Sequence, residues 1–216
     1  MLHISRSASS LLAPKACLMV CLAPESLYKD KPIAALIYDE GTYPDRVLQD
    51  FARDLRAHGF VLGGVIQQDV PRAGSARCDM FLENLGTGDL IRISEYRGEG
   101  ARGCRLDHNG LLAAASGILT SVENHAVDML IINKFGKIEA EGGGLRQGLA
   151  AALERSIPIL IGVPRRNQEA WQAFAGDFAV ALAPTLEDLN TWAKAHLPRL
   201  QPNRHYEVSA TRLEFA

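Results

Sequence analysis

The chain has 216 residues, 47% hydrophobic and 22% charged, with a formal net charge of −2. This balance fits one globular domain with a sizeable core; it has neither the basic excess of a nucleic-acid binder nor an acidic solvating tail. No apolar run approaches the ~20 residues needed to span a bilayer; Cys17 and Cys21 lie in a doubtful N-terminal stretch, and Cys78 and Cys104 fit no zinc-pair spacing, so reduced thiols in a cytoplasmic protein are expected.

Residues 1–30 differ from the rest. Met1 to Leu22 has no acidic residue, and Pro14-Lys15 interrupts its apolar character before the patch from Ala16 to Ala23. A secretory leader wants a longer unbroken stretch, so this segment is expected to be a disordered extension, with Met19 as an alternative start.

Pro32 to Tyr38 is a short apolar run ending in turn residues and predicts a buried strand. After the loop Asp39 to Pro44, Val47, Leu48, Phe51 and Leu55 fall at helical spacing, and Gly59 marks the stop. Phe60 to Ile66 predicts the next strand, broken by polar residues from Gln67 to Ala76. Asp79–Leu85 and Asp89–Ser94 flank Gly86-Thr87-Gly88 as a hairpin. Gly98 to Gly103 is a glycine-rich loop. Asp107 or Asn109 can cap a helix through Leu111, Ala115, Ile118 and Leu119. Val127–Ile132, Ile157–Val163 and Phe178–Leu182 predict strands. Helices follow Gly142-Gly143-Gly144, over Gln168–Phe174 and over Leu186–His196. Residues 31–197 thus read as one domain and 198–216 as a polar tail. Strands alternating with helices predict an α/β fold, a parallel sheet covered on both faces, with the hairpin as an antiparallel insertion at one edge.

Ligands in such sheets bind beyond the carboxyl ends of the strands. Asn133-Lys134-Phe135-Gly136-Lys137 follows a strand end, where the lysines can meet an anion or simply be solvated. Gln67 and Gln68 also follow a strand and can bond a ligand or the loop backbone. Gly142-Gly143-Gly144 opens a helix whose free N–H groups favour an anion, or it is only a linker. Arg97, Arg102 and Arg105 cluster in a glycine-rich stretch suited to oxyanions. Cys104 and His108, with Cys78, offer a metal set that no spacing rule supports. No Ser-His-Asp order or carboxylate pair appears, so no catalytic residue is assigned.

Three boxes in order carry a resemblance: the strand to Tyr38 with its loop; Gly59 to Leu90; and Asp128-Met129-Leu130-Ile131-Ile132-Asn133-Lys134-Phe135-Gly136-Lys137-Ile138-Glu139. Over roughly 33–182 the chain resembles the THEP-type branch of P-loop nucleoside triphosphatases. It is similar, more closely, to an uncharacterised bacterial domain family with Asn-Lys-Phe-Gly-Lys-x-Glu-Ala and Gly-Cys-Arg-Leu-Asp boxes (here from Asn133 and from Gly103). Members of that family carry the name of ATP-binding components of molybdenum transport. The resemblance implies a three-layer P-loop-like fold. The phosphate machinery departs from it. A Walker A loop needs G-x-x-x-x-G-K-[ST], whereas the loop here has Gly41 and Thr42, no lysine, and two carboxylates, Asp39 and Glu40. Two like charges ~4 Å apart interact by roughly 4 kcal/mol at an effective dielectric of ~20, which opposes a bare phosphate. Asn133 and Lys134 stand where the Walker B Asp-Glu pair would hold Mg²⁺.

The resulting expectation is a binding or regulatory protein on a degenerate P-loop scaffold, non-hydrolysing, with a nucleotide, molybdate or tungstate as ligand. Gly41, Thr42, Gln67, Arg102, Arg105, Asn133, Lys134 and Lys137 are its candidate contacts, with no metal and no nucleic acid. Two alternatives stay open: a metal-dependent phosphohydrolase or phosphotransferase using Asp39 or Glu40, and an interaction module with a vestigial pocket. A homodimer fits any of these without being specified by any residue pattern.

Overall fold

A computed structural model describes residues 27–72, 78–95, 106–124 and 127–200. Among them, seven strands form one sheet: β1 (Ile33–Tyr38), β2 (Leu62–Pro71), β3 (Cys78–Asn84), β4 (Leu90–Arg92), β5 (Met129–Ile132), β6 (Ile159–Pro164) and β7 (Ala179–Leu182), in the spatial order β4-β3-β2-β5-β6-β1-β7. The five strands from β2 to β7 in that order pair in parallel. β3 and β4 join the β2 edge antiparallel, which is the hairpin insertion expected from Gly86-Thr87-Gly88.

Six helices accompany the sheet: α1 (Asp45–Ala57), α2 (His108–Asn124), α3 (Lys137–Ala140), α4 (Arg146–Glu154), α5 (Gln168–Ala175) and α6 (Leu186–His196). Successive strand residues face opposite sides, so β1 feeds two cores. Ala34 and Leu36 pack with Leu48, Phe51 and Leu55 of α1 and Leu189 and Trp192 of α6. Ile33 and Ala35 belong to the other cluster, with Ile118 of α2, Leu149 of α4 and Trp171 of α5. Each buried Leu or Ile contributes about 1.5–3 kcal/mol relative to exposure. The central strands are apolar throughout because both their faces are covered.

Local signals set the element ends as the sequence suggests. Gly59 N donates to Arg56 O at 2.9 Å beyond α1, and Asp107 Oδ1 accepts from Asn109 N at 2.9 Å at the start of α2. Two elements differ from the sequence reading. β2 does not stop at Ile66 but runs on to Pro71: its first half pairs with β5 and its second with β3, and the second half is polar because it leaves the covered part of the sheet. α3 is a four-residue helix inside a stretch read as loop, too short to show a period. Within β2, Gly64 has φ +101°, and a Cβ there would stand 1.9 Å from Ile131 O. Only glycine lets β5 approach at this point.

At the other end of the strands the chain closes on itself. Asp128 accepts from Val61 N at 2.7 Å and from Arg199 at 2.7 Å. The Arg199 guanidinium lies 4.6 Å from the Phe60 ring centroid, and Trp192 Nε1 donates to Lys31 O at 2.8 Å. Packing therefore continues to Leu200, past the expected start of the polar tail.

Candidate functional site

The carboxyl ends of β1, β2, β5 and β6 converge on one rim of the sheet. After β1 the chain makes a tight turn: Thr42 N donates to Asp39 O at 3.1 Å, and Thr42 Oγ1 donates to the same carbonyl at 2.8 Å. Gly41, exposed, has φ +91°. Pro44 then occupies the position before α1 and offers no N–H. This turn is not a cradle of backbone donors. The first turn of α1 supplies its own carboxylate, Asp45, where the helix dipole favours negative charge.

After β5 comes Asn133, 5% exposed. Its Oδ1 accepts from Gln67 N at 3.0 Å. One amide thus ties the end of β5 to β2 beside the start of α1. Burial raises the Asp45 pKa above the usual carboxylate range, the neighbouring Asn133 amide opposes this, and the Asp69 charge adds to it.

Lys134, the next residue, is half-buried and makes no hydrogen bond or ion pair with the described residues. Burial lowers its pKa, as does the Arg166 guanidinium; Asp45, Glu139 and Glu40 pull it the other way. The energetic reason is that a partly desolvated ammonium beside a second cation disfavours its own charge.

The loop after β6 supplies residues that the sequence reading passed over. Arg165 Nε lies 2.6 Å from Asp39 Oδ1, and Arg166 lies 3.8 Å from Glu40. The two carboxylates expected to repel a phosphate are each answered by a guanidinium. Arg165-Arg166 directly follows a predicted strand, so the strand-end rule that selected Lys134 would have selected them too.

Two cavities meet at Lys134 and Arg166, which line both. One, of about 270 Å³, lies over the first loop between Tyr38, Asp39, Glu40, Tyr43 and Arg165. The Tyr38 and Tyr43 rings meet edge-on at 5.8 Å. Burial first, and then Asp45, pushes the Tyr38 phenol well above its ordinary pKa. The second cavity, of about 300 Å³, lies under the hairpin between β2, β3, α2, α3 and the start of α4. Its walls are aliphatic, and Gln67, Asn133, Lys134, Lys137 and Arg166 supply its polar members together with Glu139.

The remaining sequence candidates are placed as follows. Gln67 lines the second cavity, with Nε2 donating to Asp69 at 2.9 Å and its carbonyl accepting from Gln49 at 3.2 Å. Lys137 is on the same cavity's edge, largely exposed and 3.6 Å from Glu141. Arg102 and Arg105, with Arg97 and Cys104, lie outside the described residues. The glycine triplet is corrected. Its N–H groups do not wait for an anion: Gly142 N and Gly143 N donate to Glu139 O and Ile138 O. The Glu139 carboxylate, 4% exposed, accepts from Gly136 N at 2.8 Å and Leu145 N at 3.1 Å. Gly144, at φ +60°, makes room for it, because a Cβ would stand 2.0 Å from Glu139 Oε1. Of the two readings left open for the triplet, the anion site is answered by the chain's own carboxylate. Among the described residues, no group of three or more His, Cys, Asp or Glu is placed to hold a metal ion. No helix of the described residues is long and apolar enough to cross a membrane.

Comparison with known proteins follows this geometry. The chain is 34% identical over 186 residues to the Molybdenum import ATP-binding protein ModC 2 of Bradyrhizobium diazoefficiens, a match covering 85% of this chain and 21% of that protein. The chain therefore spans about a fifth of the length of that curated relative. Its fold is similar to the solution structure of a human cancer-related nucleoside triphosphatase, with a TM-score of 0.50 at 17% identity, over 75% of this chain and 92% of the other. That likeness shows the fold: an α/β, P-loop-like sheet with helices on both faces. A family model described as a protein of unknown function, DUF2478, matches residues 33–192; from its first strand into its last long helix, this chain belongs to the DUF2478 family.

Proposed function

We propose that this chain is a binding module on a degenerate P-loop scaffold, which holds a small oxyanion or the phosphate of a nucleotide without hydrolysing it, in an accessory or regulatory role. The observation that carries this reading is Lys134: a half-buried ammonium with no hydrogen-bond or ion-pair partner among the described residues, beside Arg166, at the junction of two cavities. A partly desolvated cation of this kind gains from an incoming anion far more than a solvated one does. The absence of a Walker A lysine and a Walker B carboxylate pair supports binding without turnover. The ion pairs of Asp39 and Glu40 with Arg165 and Arg166 support the same reading, because they reduce the negative charge facing the anion. The name of the bradyrhizobial relative, a molybdenum import ATP-binding protein, supports molybdate as a candidate, and tungstate is added as an oxyanion of the same shape.

The test is thermal stability against ATP, GTP and ADP with and without Mg²⁺, then phosphate, molybdate and tungstate. A ligand at ~100 times its Kd should add about 2.7 kcal/mol of stability. A shift given by one class and lost in Lys134→Ala supports the reading and names the class. No shift with any member overturns it.

A further inference from the structure

We infer that the ligand of this site is amphipathic, with an aliphatic body seated in the cavity under the hairpin and one anionic head at Lys134 and Arg166. The inference rests on the binding reading above and gives it a ligand class. Its basis is the uneven chemistry of the larger cavity. The inner wall is built from Val65, Met80, Leu82, Ile93, Leu111 and Leu145, drawn from β2, β3, the segment after β4, α2 and the loop before α4. None of these side chains can donate or accept a conventional hydrogen bond.

The polar groups within reach are mostly committed to the protein. Glu139 has both carboxylate oxygens on backbone N–H groups. The Asn133 Oδ1 accepts from Gln67 N. A nucleobase placed here would surrender hydrogen bonds with water and receive few in return. An alkyl body surrenders none. Two cations stand at the junction with the smaller cavity, where Lys134 and Arg166 line both spaces; Arg166 lies 3.8 Å from the exposed Glu40, and Lys134 is the one of the two without an ion pair among the described residues. An aliphatic interior with a cationic mouth matches a molecule that is apolar along its length and anionic at one end. The volume of about 300 Å³ is roughly twice that of an engineered apolar cavity, about 150 Å³, that takes up benzene, so a body of several methylenes fits.

The experiment is calorimetric titration of the full chain with linear alkyl phosphates and alkyl carboxylates from two to ten carbons, beside inorganic phosphate, AMP and the matching alcohols. The expected result is a Kd that falls about fourfold per added methylene, then levels off once the cavity is filled. The two anionic series decide between a phosphate and a carboxylate head. Leu111→Trp should flatten the dependence on chain length by filling the cavity from α2. Ile138→Asn, on the short and partly exposed α3, is the second variant if the first does not fold. Lys134→Met should weaken every anionic member. If inorganic phosphate or AMP binds through Lys134 and chain length leaves Kd unchanged, the amphipathic ligand is overturned while the oxyanion reading stands. If the alcohols bind as tightly as the anions, the head assignment is overturned. If nothing in the panel binds, both fall.

Discussion

The two ends of the same parallel strands are built on opposite principles. At the amino end, where β5 begins, the Asp128 carboxylate receives both Val61 N and Arg199, and Arg199 also covers Phe60. At the carboxyl end, two residues beyond β5, Lys134 has no hydrogen-bond or ion-pair partner among the described residues, and burial raises the pKa of nearby Asp45. Identical strands deliver a charge that is answered at one end and a charge left open at the other. Closed ends contribute stability, while unsatisfied groups in concave sites mark where something else is to bind.

The comparison can be broken hardest between the two ends. Gly64 sits in the only strand conformation that lets β2 meet Ile131 O, so Gly64→Ala should cost about 3–5 kcal/mol in urea denaturation or prevent folding. Next comes the closed end. Asp128→Ala strands Val61 N and frees Arg199, and should lower stability by about 1–3 kcal/mol. The open end should respond with the reverse sign: Lys134→Met removes a partly desolvated charge and should leave stability unchanged or higher by up to ~1 kcal/mol. If Lys134→Met proves as damaging as Asp128→Ala, the contrast between the ends is wrong.

A finer version uses pH. The folded state raises the Asp45 pKa, so its neutral form is the one the fold prefers. That contribution is fully present below the unfolded carboxylate pKa and is lost as pH rises through the folded one. Denaturation of Asp45→Asn beside the parent chain should therefore show the variant gaining relative stability as pH climbs from the acid side through that raised pKa. Lys134 runs the opposite way: its folded pKa is depressed, so it adds to stability as pH rises from that lowered value towards the ordinary lysine range. The smallest effect is expected at Arg165, whose ion pair with Asp39 is open to solvent. Arg165→Ala should leave the melting temperature unchanged within error.

Much of this fold was legible because the central strands are short, apolar and bounded by turn residues, and because Leu48, Phe51 and Leu55 mark α1 by spacing alone. The continuation of β2 through Gln67–Pro71 was not, since a strand that leaves the covered layer loses its apolar pattern and keeps only its pairing with β3. Lys134 was found from its place after a strand, yet Arg165 and Arg166 were missed at an equivalent place. Asn133 was legible as a polar residue after a strand and a contact for a ligand, but its bond to the backbone of Gln67 joins distant strands and has no local signature. The aliphatic cavity was invisible for the same reason. Val65, Met80, Leu111 and Leu145 read as ordinary core until the fold leaves a gap among them.

The hairpin has a consequence for how this family can diversify. Met80 and Leu82 form part of the cavity wall, and β3 pairs with β2 and β4 at the antiparallel edge of the sheet, beyond the parallel strands, while Leu82 also belongs to the core cluster of Ile118 and Trp171. Substitutions at the half-buried Met80 can therefore reshape what the cavity admits at less cost to the core than substitutions at the buried Leu82. The edge of the sheet thus offers one position, Met80, where the admitted shape can be tuned without touching the parallel strands.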